Sequence, residues 1–474
     1  MPPHSSPTRR GVLKLSGATI AAALTGVGQV TAESASWEAV TSPVDVTVWD
    51  VEQTARNDFA IGGSGVVVER ADDGWTKVVD GGPTGNGSDL YGADLTDDGK
   101  RLWFAGASGA IGEYDVKTGL LVDHSAPDDV TNNFNDIAVT GEASGANVYV
   151  AGDSGKIYYS FDNGASGSWN SVTPGSGSAI NAIDFYDARK GHAVDGNTTV
   201  FVTSDGSTWE ERGIENVDQT FYGVDSDSAD TVWVAASGGT VYHWNGSEWI
   251  TTNVGESALR DIELADGAGY AAGDSGAIFD RADGSWTRDE TPSGQNLKAV
   301  FDGDSNNVAV GASGTIFETN PEASADSAST ENDDGDAGRI ERVSSQTSES
   351  KSLTFTIENS GEQSVTVESW ALATDVQVES IQRAGAEVTM SADVVAGSST
   401  GFSVDGNLRD VDNKPTLAAG ESGSLDFGQY DNGNVALTLE PATDRPDGNY
   451  LAAALSYGDD TSKTFYFAVT NVNS

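Results

Sequence analysis

Short apolar stretches closed by glycine set the rhythm of this chain. An apolar pair followed by a Gly-Xaa-Xaa-Gly anchor reads Ala60-Ile61-Gly62-Gly63-Ser64-Gly65, then Phe104-Ala105-Gly106-Ala107-Ser108-Gly109, then Val150-Ala151-Gly152-Asp153-Ser154-Gly155. Degenerate copies follow at Ala193-Val194-Asp195-Gly196 and Ala235-Ala236-Ser237-Gly238-Gly239. Clean ones return at Ala272-Gly273-Asp274-Ser275-Gly276 and Val310-Gly311-Ala312-Ser313-Gly314. Another short apolar run precedes each anchor, and a strand-like stretch such as Lys156-Ile157-Tyr158-Tyr159-Ser160 follows it. Most copies go on to a polar turn and a tryptophan: Trp75, Trp169, Trp209, Trp249 and Trp286, with the second copy lacking its own. Apolar runs this short, punctuated by turn residues, predict strands. Several strands per repeat of roughly 40 residues predict an all-β fold in which each repeat is one four-stranded blade of a β-propeller.

The ring is expected to close through the N-terminus. The seventh copy stops at Asn320 without its tryptophan strand, and Ser36-Trp37-Glu38-Ala39-Val40 supplies one that looks like Ser285-Trp286-Thr287-Arg288. Seven blades over residues 36–320 follow, with the N-terminal strand completing the last blade and removing free sheet edges. An open β-solenoid would leave the orphan tryptophan strand unexplained. Each tryptophan is expected to pack between blades, and the anchor glycines to permit tight turns and positive φ.

The first strand of each blade should line the central channel. Aligned by the anchors, these segments start Val48-Trp49-Asp50-Val51, Leu90-Tyr91-Gly92-Ala93, Phe134-Asn135-Asp136-Ile137, Ile180-Asn181-Ala182-Ile183, Phe221-Tyr222-Gly223-Val224, Leu259-Arg260-Asp261-Ile262 and Leu297-Lys298-Ala299-Val300. The first and fourth positions read as core. The second is aromatic, amide or cationic in every blade: Trp49, Tyr91, Asn135, Asn181, Tyr222, Arg260 and Lys298. These seven are the candidate ligand contacts at the channel mouth, a set suited to a sugar, a peptide carboxylate or an acidic polymer segment. The alternative is packing between blades, with Arg260 and Lys298 paired to Asp261, Glu263 or Asp302.

Residues 321–338 hold Ser, Ala, Asp and Glu in excess and read as an acidic flexible linker. From 339 to 474 the pattern changes to alternating strands such as Leu353-Thr354-Phe355-Thr356-Ile357. A hairpin is expected from Tyr450–Tyr457 across Gly458-Asp459-Asp460 to Thr464–Val469. An immunoglobulin-like β-sandwich is the expected fold. This part resembles the sandwich modules appended to secreted and cell-surface archaeal proteins, which implies a spacing, binding or attaching role.

Charge narrows the function. With 73 acidic and 25 basic residues the net charge is −48, spread along the whole chain. That argues against nucleic acid and anionic membranes as partners, because both need a basic patch. It is the balance expected of a halophilic protein, whose self-repulsion is screened by salt. The absence of cysteine excludes disulfides, thiol chemistry and thiolate metal sites. With 4 histidines, one of them His4 in the leader, a multi-histidine metal centre is not expected. Residues 1–35 read as a signal peptide. Thr8-Arg9-Arg10-Gly11-Val12-Leu13-Lys14, followed by the apolar stretch Leu15–Val30 and by Val30-Thr31-Ala32, resembles a twin-arginine export signal. The expected mature protein is secreted, monomeric and without membrane insertion. The sequons at Asn86, Asn197 and Asn245 agree with export.

The fourth repeat, Ile183-Asp184-Phe185-Tyr186-Asp187-Ala188-Arg189-Lys190-Gly191-His192-Ala193-Val194 through Thr203-Ser204-Asp205-Gly206-Ser207-Thr208-Trp209, resembles that of photosystem II assembly-factor-like propellers. The third, Ser160-Phe161-Asp162-Asn163-Gly164 ahead of Trp169, is similar to the Asp-box (BNR) repeat of sialidases and other secreted propellers. The resemblance covers the propeller alone and implies a fold more than an activity, since these motifs are turn scaffolds. A sialidase-type site needs three arginines, a Tyr–Glu pair and a general acid, yet only Arg260 of the propeller's arginines falls on an innermost strand. With 73 acidic residues, a carboxylate pair at glycosidase spacing carries little information. The sequence thus points to a non-enzymatic protein binding a glycan or protein partner outside the cell. A polysaccharide-acting glycoside hydrolase or lyase is the second reading. No cofactor is expected. Asp302-Gly303-Asp304-Ser305-Asn306 and Asp225-Ser226-Asp227 resemble the opening of a calcium loop, but the first lacks the Gly and Glu that such a loop requires at Asn307 and Ser313.

Overall fold

A computed structural model describes residues 36–320 apart from 72–73, 215–216 and 304–305. Beyond 334 it describes 335–347, 352–374, 383–384, 387–390, 393–397, 402–403, 408–411, 414–429, 439–442, 450–459 and 461–469. The leader, most of the acidic segment and the calcium-like pair Asp304-Ser305 lie outside the described residues. The chain divides into two compact units.

The first unit is a seven-bladed β-propeller. Seven four-stranded antiparallel sheets follow one another, with innermost strands Val48–Gln53, Leu90–Leu95, Phe134–Thr140, Ile180–Asp187, Phe221–Ser228, Leu259–Ala265 and Leu297–Phe301, blades 1 to 7. Each innermost strand packs against those of its two neighbours, blade 7 against blade 1 included. The second strands are covered on both faces: all of Arg101–Gly106 is buried.

Blade 7 borrows its outermost strand. Glu38–Ala39 pairs with Ile316–Glu318, Glu38 opposite Glu318 and Ala39 opposite Phe317, and the Val40 N–H donates to the Ile316 carbonyl at 3.1 Å. Trp37 then fills the blade 6–blade 7 gap with Tyr270, Ile278 and Phe317, and its Nε1 donates to Asp289 at 3.0 Å. The other repeat tryptophans do the same one junction back: Trp75 packs between blades 7 and 1, Trp169 between 2 and 3, Trp209 between 3 and 4. The turn of the fourth repeat is built as its sequence suggests. Asp205 accepts the N–H groups of Ser207 and Thr208 at 2.8 and 2.7 Å, bonds that hold its carboxyl well below the usual range.

The two anchor glycines do different work. Gly106 is in extended backbone that any residue adopts, but a Cβ there would lie 2.0 Å from the Asp89 carbonyl oxygen. Gly109 has φ +76°, and its Cβ would lie 2.3 Å from the Val130 carbonyl. Only the last glycine serves positive φ, whereas the first serves close approach of two strands. Gly106→Ala is therefore expected to cost about 1–3 kcal/mol by overpacking against backbone. Gly145→Ala, with nothing within 4 Å of its Cβ, is expected to be neutral. Chemical denaturation of the two variants checks this.

The blade 7–blade 1 seam is polar and buried. Glu318, fully inaccessible, accepts from Arg70 Nε at 2.8 Å, Arg70 Nη2 at 3.3 Å and Trp75 Nε1 at 2.7 Å. Beside it, burial and the Glu318 charge push Asp58 up to about 6, against the hydrogen bond from Gln53 and the Arg70 charge. A raised carboxyl favours the native state fully below its unfolded value of about 3.9, and that contribution is lost as pH rises through 6. Asp58→Asn should therefore gain on wild type as pH rises from 4 to 8, by on the order of 2 kcal/mol. Melting curves across that range test this, and a constant difference would contradict it.

The second unit is a two-sheet sandwich. One sheet runs Ile340–Thr347, Ser352–Asn359, Ser422–Gln429, Glu387–Met390, Asp393–Gly397. The other runs Arg409–Asp410, Val365–Thr374, Tyr450–Tyr457, Ser462–Val469, Leu439–Ala442. Phe355, Phe427, Trp370 and Phe467 meet in the core between them. The expected C-terminal hairpin is present, Tyr450 opposite Ala468 through Ser456 opposite Ser462. Its main pairings match the A–B–E and C–F–G sets of an immunoglobulin-type sandwich. Gly335–Arg339, at the end of the acidic segment, is a short helix bonded to this unit, with the Ala337 N–H donating to Thr461 Oγ1 at 3.0 Å.

Candidate ligand site at the channel mouth

One backbone irregularity recurs in all seven blades. Val48 pairs with Gly62, but the next pair is Asp50 with Ile61, so Trp49 is an extra residue on its strand. The same slip falls at Tyr91, Asn135, Asn181, Tyr222, Arg260 and Lys298. A β-bulge leaves a residue out of the ladder and re-aims its side chain. Here it turns all seven expected residues into one cavity of about 120 Å³ along the channel, each of them half-buried.

These side chains also touch one another across the blade junctions. Trp49 and Tyr91 meet edge to face with centroids 5.2 Å apart, and Lys298 Nζ lies 4.7 Å from the centre of the Trp49 ring. The Arg260 guanidinium lies over Tyr222 at 4.2 Å. Asn135 donates to the Ile180 carbonyl at 2.9 Å and Asn181 to the Phe221 carbonyl at 2.7 Å, each reaching the first residue of the next blade. Arg260 is not paired to Asp261, Glu263 or Asp302. Its partner is Asp274 of its own blade's anchor turn, held by Nε at 3.1 Å and Nη2 at 2.6 Å. Among the described residues, no carboxylate lies within ion-pair distance of Lys298. Burial and the neighbouring Arg260 charge hold its ammonium below the usual lysine range.

One residue further along the strands lies a feature the sequence reading did not anticipate. Asp50, Asp136 and Asp261 each accept their successor's N–H and, with the other oxygen, an N–H of the next blade: Ala93 at 2.8 Å, Ile183 at 2.8 Å and Val300 at 2.9 Å. Where that position is not aspartate, the fifth residue takes over. Asp94 accepts Val139 N–H at 2.6 Å, Asp184 accepts Ser226 N–H at 2.6 Å, and Asp225 accepts Leu264 N–H at 3.2 Å. Every junction from blade 1 to blade 7 thus carries one carboxylate staple. Blade 7 has Ala299 and Phe301 at these positions, and its seam with blade 1 is closed by Glu318 instead. The signal was present as an aspartate at the third or fifth place of six innermost strands, but an excess of acidic residues concealed it.

The staples bear on chemistry. Burial and the charges of Asp261 and Asp136 raise the Asp50 carboxyl well above its usual range. A raised carboxyl beside two others is what an acid–base pair would need. Both Asp50 oxygens are nevertheless engaged by backbone N–H groups, which accounts for it as a structural bridge. The cavity volume is also below the roughly 300 Å³ at which small-molecule pockets begin, so it has room for an end group rather than a whole substrate. Asp225, part of the calcium-like Asp225-Ser226-Asp227 stretch, is one of the staples.

No protein-family model and no curated protein sequence matches the chain. Solved structures do. Virginiamycin B lyase from Staphylococcus aureus superposes with a TM-score of 0.51 at 13% identity, over 60% of this chain and 98% of that one. YCF48 from Cyanidioschyzon merolae gives 0.47 at 16% identity, over 60% and 98%. The WD40 propeller domain of Doa1 gives 0.47 at 12% identity, over 60% and 96%. The likeness is one of fold. At such identities activity does not transfer, since the propeller hosts many unrelated functions.

Proposed function

We propose that this protein is a non-enzymatic binding module, exported by the twin-arginine route to a high-salt exterior, whose propeller presents the channel mouth to a glycan or protein partner. The observation that carries this reading is the ring of seven bulged side chains, aromatic, amide and cationic, around one cavity. Aromatic faces with a few placed amides and a charged group are what fixes a polar ligand in a cleft. The hydrolase or lyase reading rests on Asp50 with its raised carboxyl. The two backbone bonds to that carboxylate favour the binding role.

A panel of polysaccharides and peptides, titrated in molar salt against wild type and Arg260→Ala/Lys298→Ala, tests the proposal. Binding that falls at least about tenfold in the double variant, the loss expected of a charge-assisted contact, supports the mouth. Equal binding by both proteins would move the site elsewhere, and no binding by wild type would remove the reading.

A further inference from the structure

The polar groups of the mouth are not equivalent, and their differences define a ligand. Asn135 and Asn181 commit their amide N–H groups to main-chain carbonyls of the next blade. Their side-chain oxygens, without a partner among the described residues, remain as two acceptors on adjacent blades along the cavity. Arg260 is engaged in a two-point bond to Asp274. Lys298 is half-buried, with the Trp49 ring as its contact. Trp49 and Tyr91 stand next to it as an edge-to-face pair. The cavity therefore offers one positive donor and an aromatic surface on one arc and two neutral acceptors on another, beside five of the stapling aspartates, Glu52 and Glu263, which line it too.

We propose that the mouth takes the terminal unit of an acidic glycan: a uronic acid whose carboxylate meets Lys298, whose neighbouring hydroxyls donate to Asn135 and Asn181, and whose C–H face rests on Trp49 and Tyr91. This deepens the binding role proposed above and rests on it. Two acceptors on adjacent blades call for two donors close together, which a sugar ring supplies through adjacent hydroxyls. A cavity of about 120 Å³ limits entry to one end unit. Of the two cations of the mouth, Lys298 is the one with no carboxylate at ion-pair distance among the described residues, so the anion is placed there. Long-range repulsion fades in molar salt, where the screening length is about 3 Å.

Titration calorimetry of the full chain in molar salt provides the test, using short oligomers of galacturonate, glucuronate and mannuronate, their carboxyl-reduced forms, and peptides with a free C-terminal carboxylate. At least one uronate oligomer is expected to bind, and its carboxyl-reduced form to bind about tenfold more weakly or worse. Lys298→Gln is expected to show the same loss, and Lys298→Arg to recover most of it. Equal affinity for the carboxyl-reduced ligand overturns the carboxylate assignment while leaving the binding role intact, and needs no variant to fold. Binding of peptides alone overturns the glycan and likewise leaves the binding role. Failure of every oligomer and peptide overturns both.

Discussion

Trp37→Ala is expected to lower the stability of the propeller by about 3–5 kcal/mol, the usual cost of removing a buried tryptophan side chain. Trp37 is 4% exposed and lies 252 residues away from its hydrogen-bond partner Asp289. The variant therefore empties the blade 6–blade 7 gap and leaves a buried carboxylate without its indole donor. Removing residues 36–40 altogether goes further, because blade 7 is left with three strands and Ile316–Glu318 loses its pairing partner. The truncated protein is expected to unfold at lower denaturant and to self-associate, which denaturation curves and light scattering read independently. Unchanged curves for both proteins would mean that the N-terminal strand does not close the ring.

Glu318→Ala is expected to be of similar size, about 3–5 kcal/mol, because it leaves Arg70 charged, buried and without its carboxylate. It also removes the acceptor for Trp75 Nε1. The double replacement Glu318→Leu/Arg70→Met removes both charges at once. It should recover a good part of the loss, since well-packed apolar groups often replace a buried ion pair at little cost. A double variant as unstable as the sum of Glu318→Leu and Arg70→Met would show that the pair contributes nothing beyond its separate contacts. The same glutamate helps to raise Asp58, so Glu318→Ala should also weaken the pH dependence of the Asp58→Asn comparison.

Much of this architecture could be read from the sequence because it repeats. Seven anchors, the recurring tryptophans and the displaced Trp37 carry the blade count and the closure in the sequence itself. The mouth was legible for the same reason, since alignment by the anchors placed Trp49 through Lys298 in one column. What that column could not show was its cause, the bulge, which is a property of pairing between strands rather than of one strand. The staples stayed hidden because each joins residues about 40 positions apart, as Asp50 and Ala93 are. Asp274 went unrecognised as the partner of Arg260 because it is an ordinary-looking anchor residue brought close only by the turn. Five of the stapling carboxylates and the aromatic and cationic ring line the same cavity.

That coexistence makes the role of the carboxylates the point on which the account turns. If Asp50 bridges blades and the bulged ring holds the ligand, chemistry and binding come apart under one measurement. Wild type and Asp50→Asn are each incubated with the uronate oligomers and their parent polysaccharides in molar salt, and bound ligand and newly formed chain ends are counted in the same mixtures. The account predicts ligand retained by both proteins, no new chain ends from either, and a lower melting temperature for Asp50→Asn. New chain ends made by wild type and lost in Asp50→Asn would contradict it, and would make the channel a catalytic site.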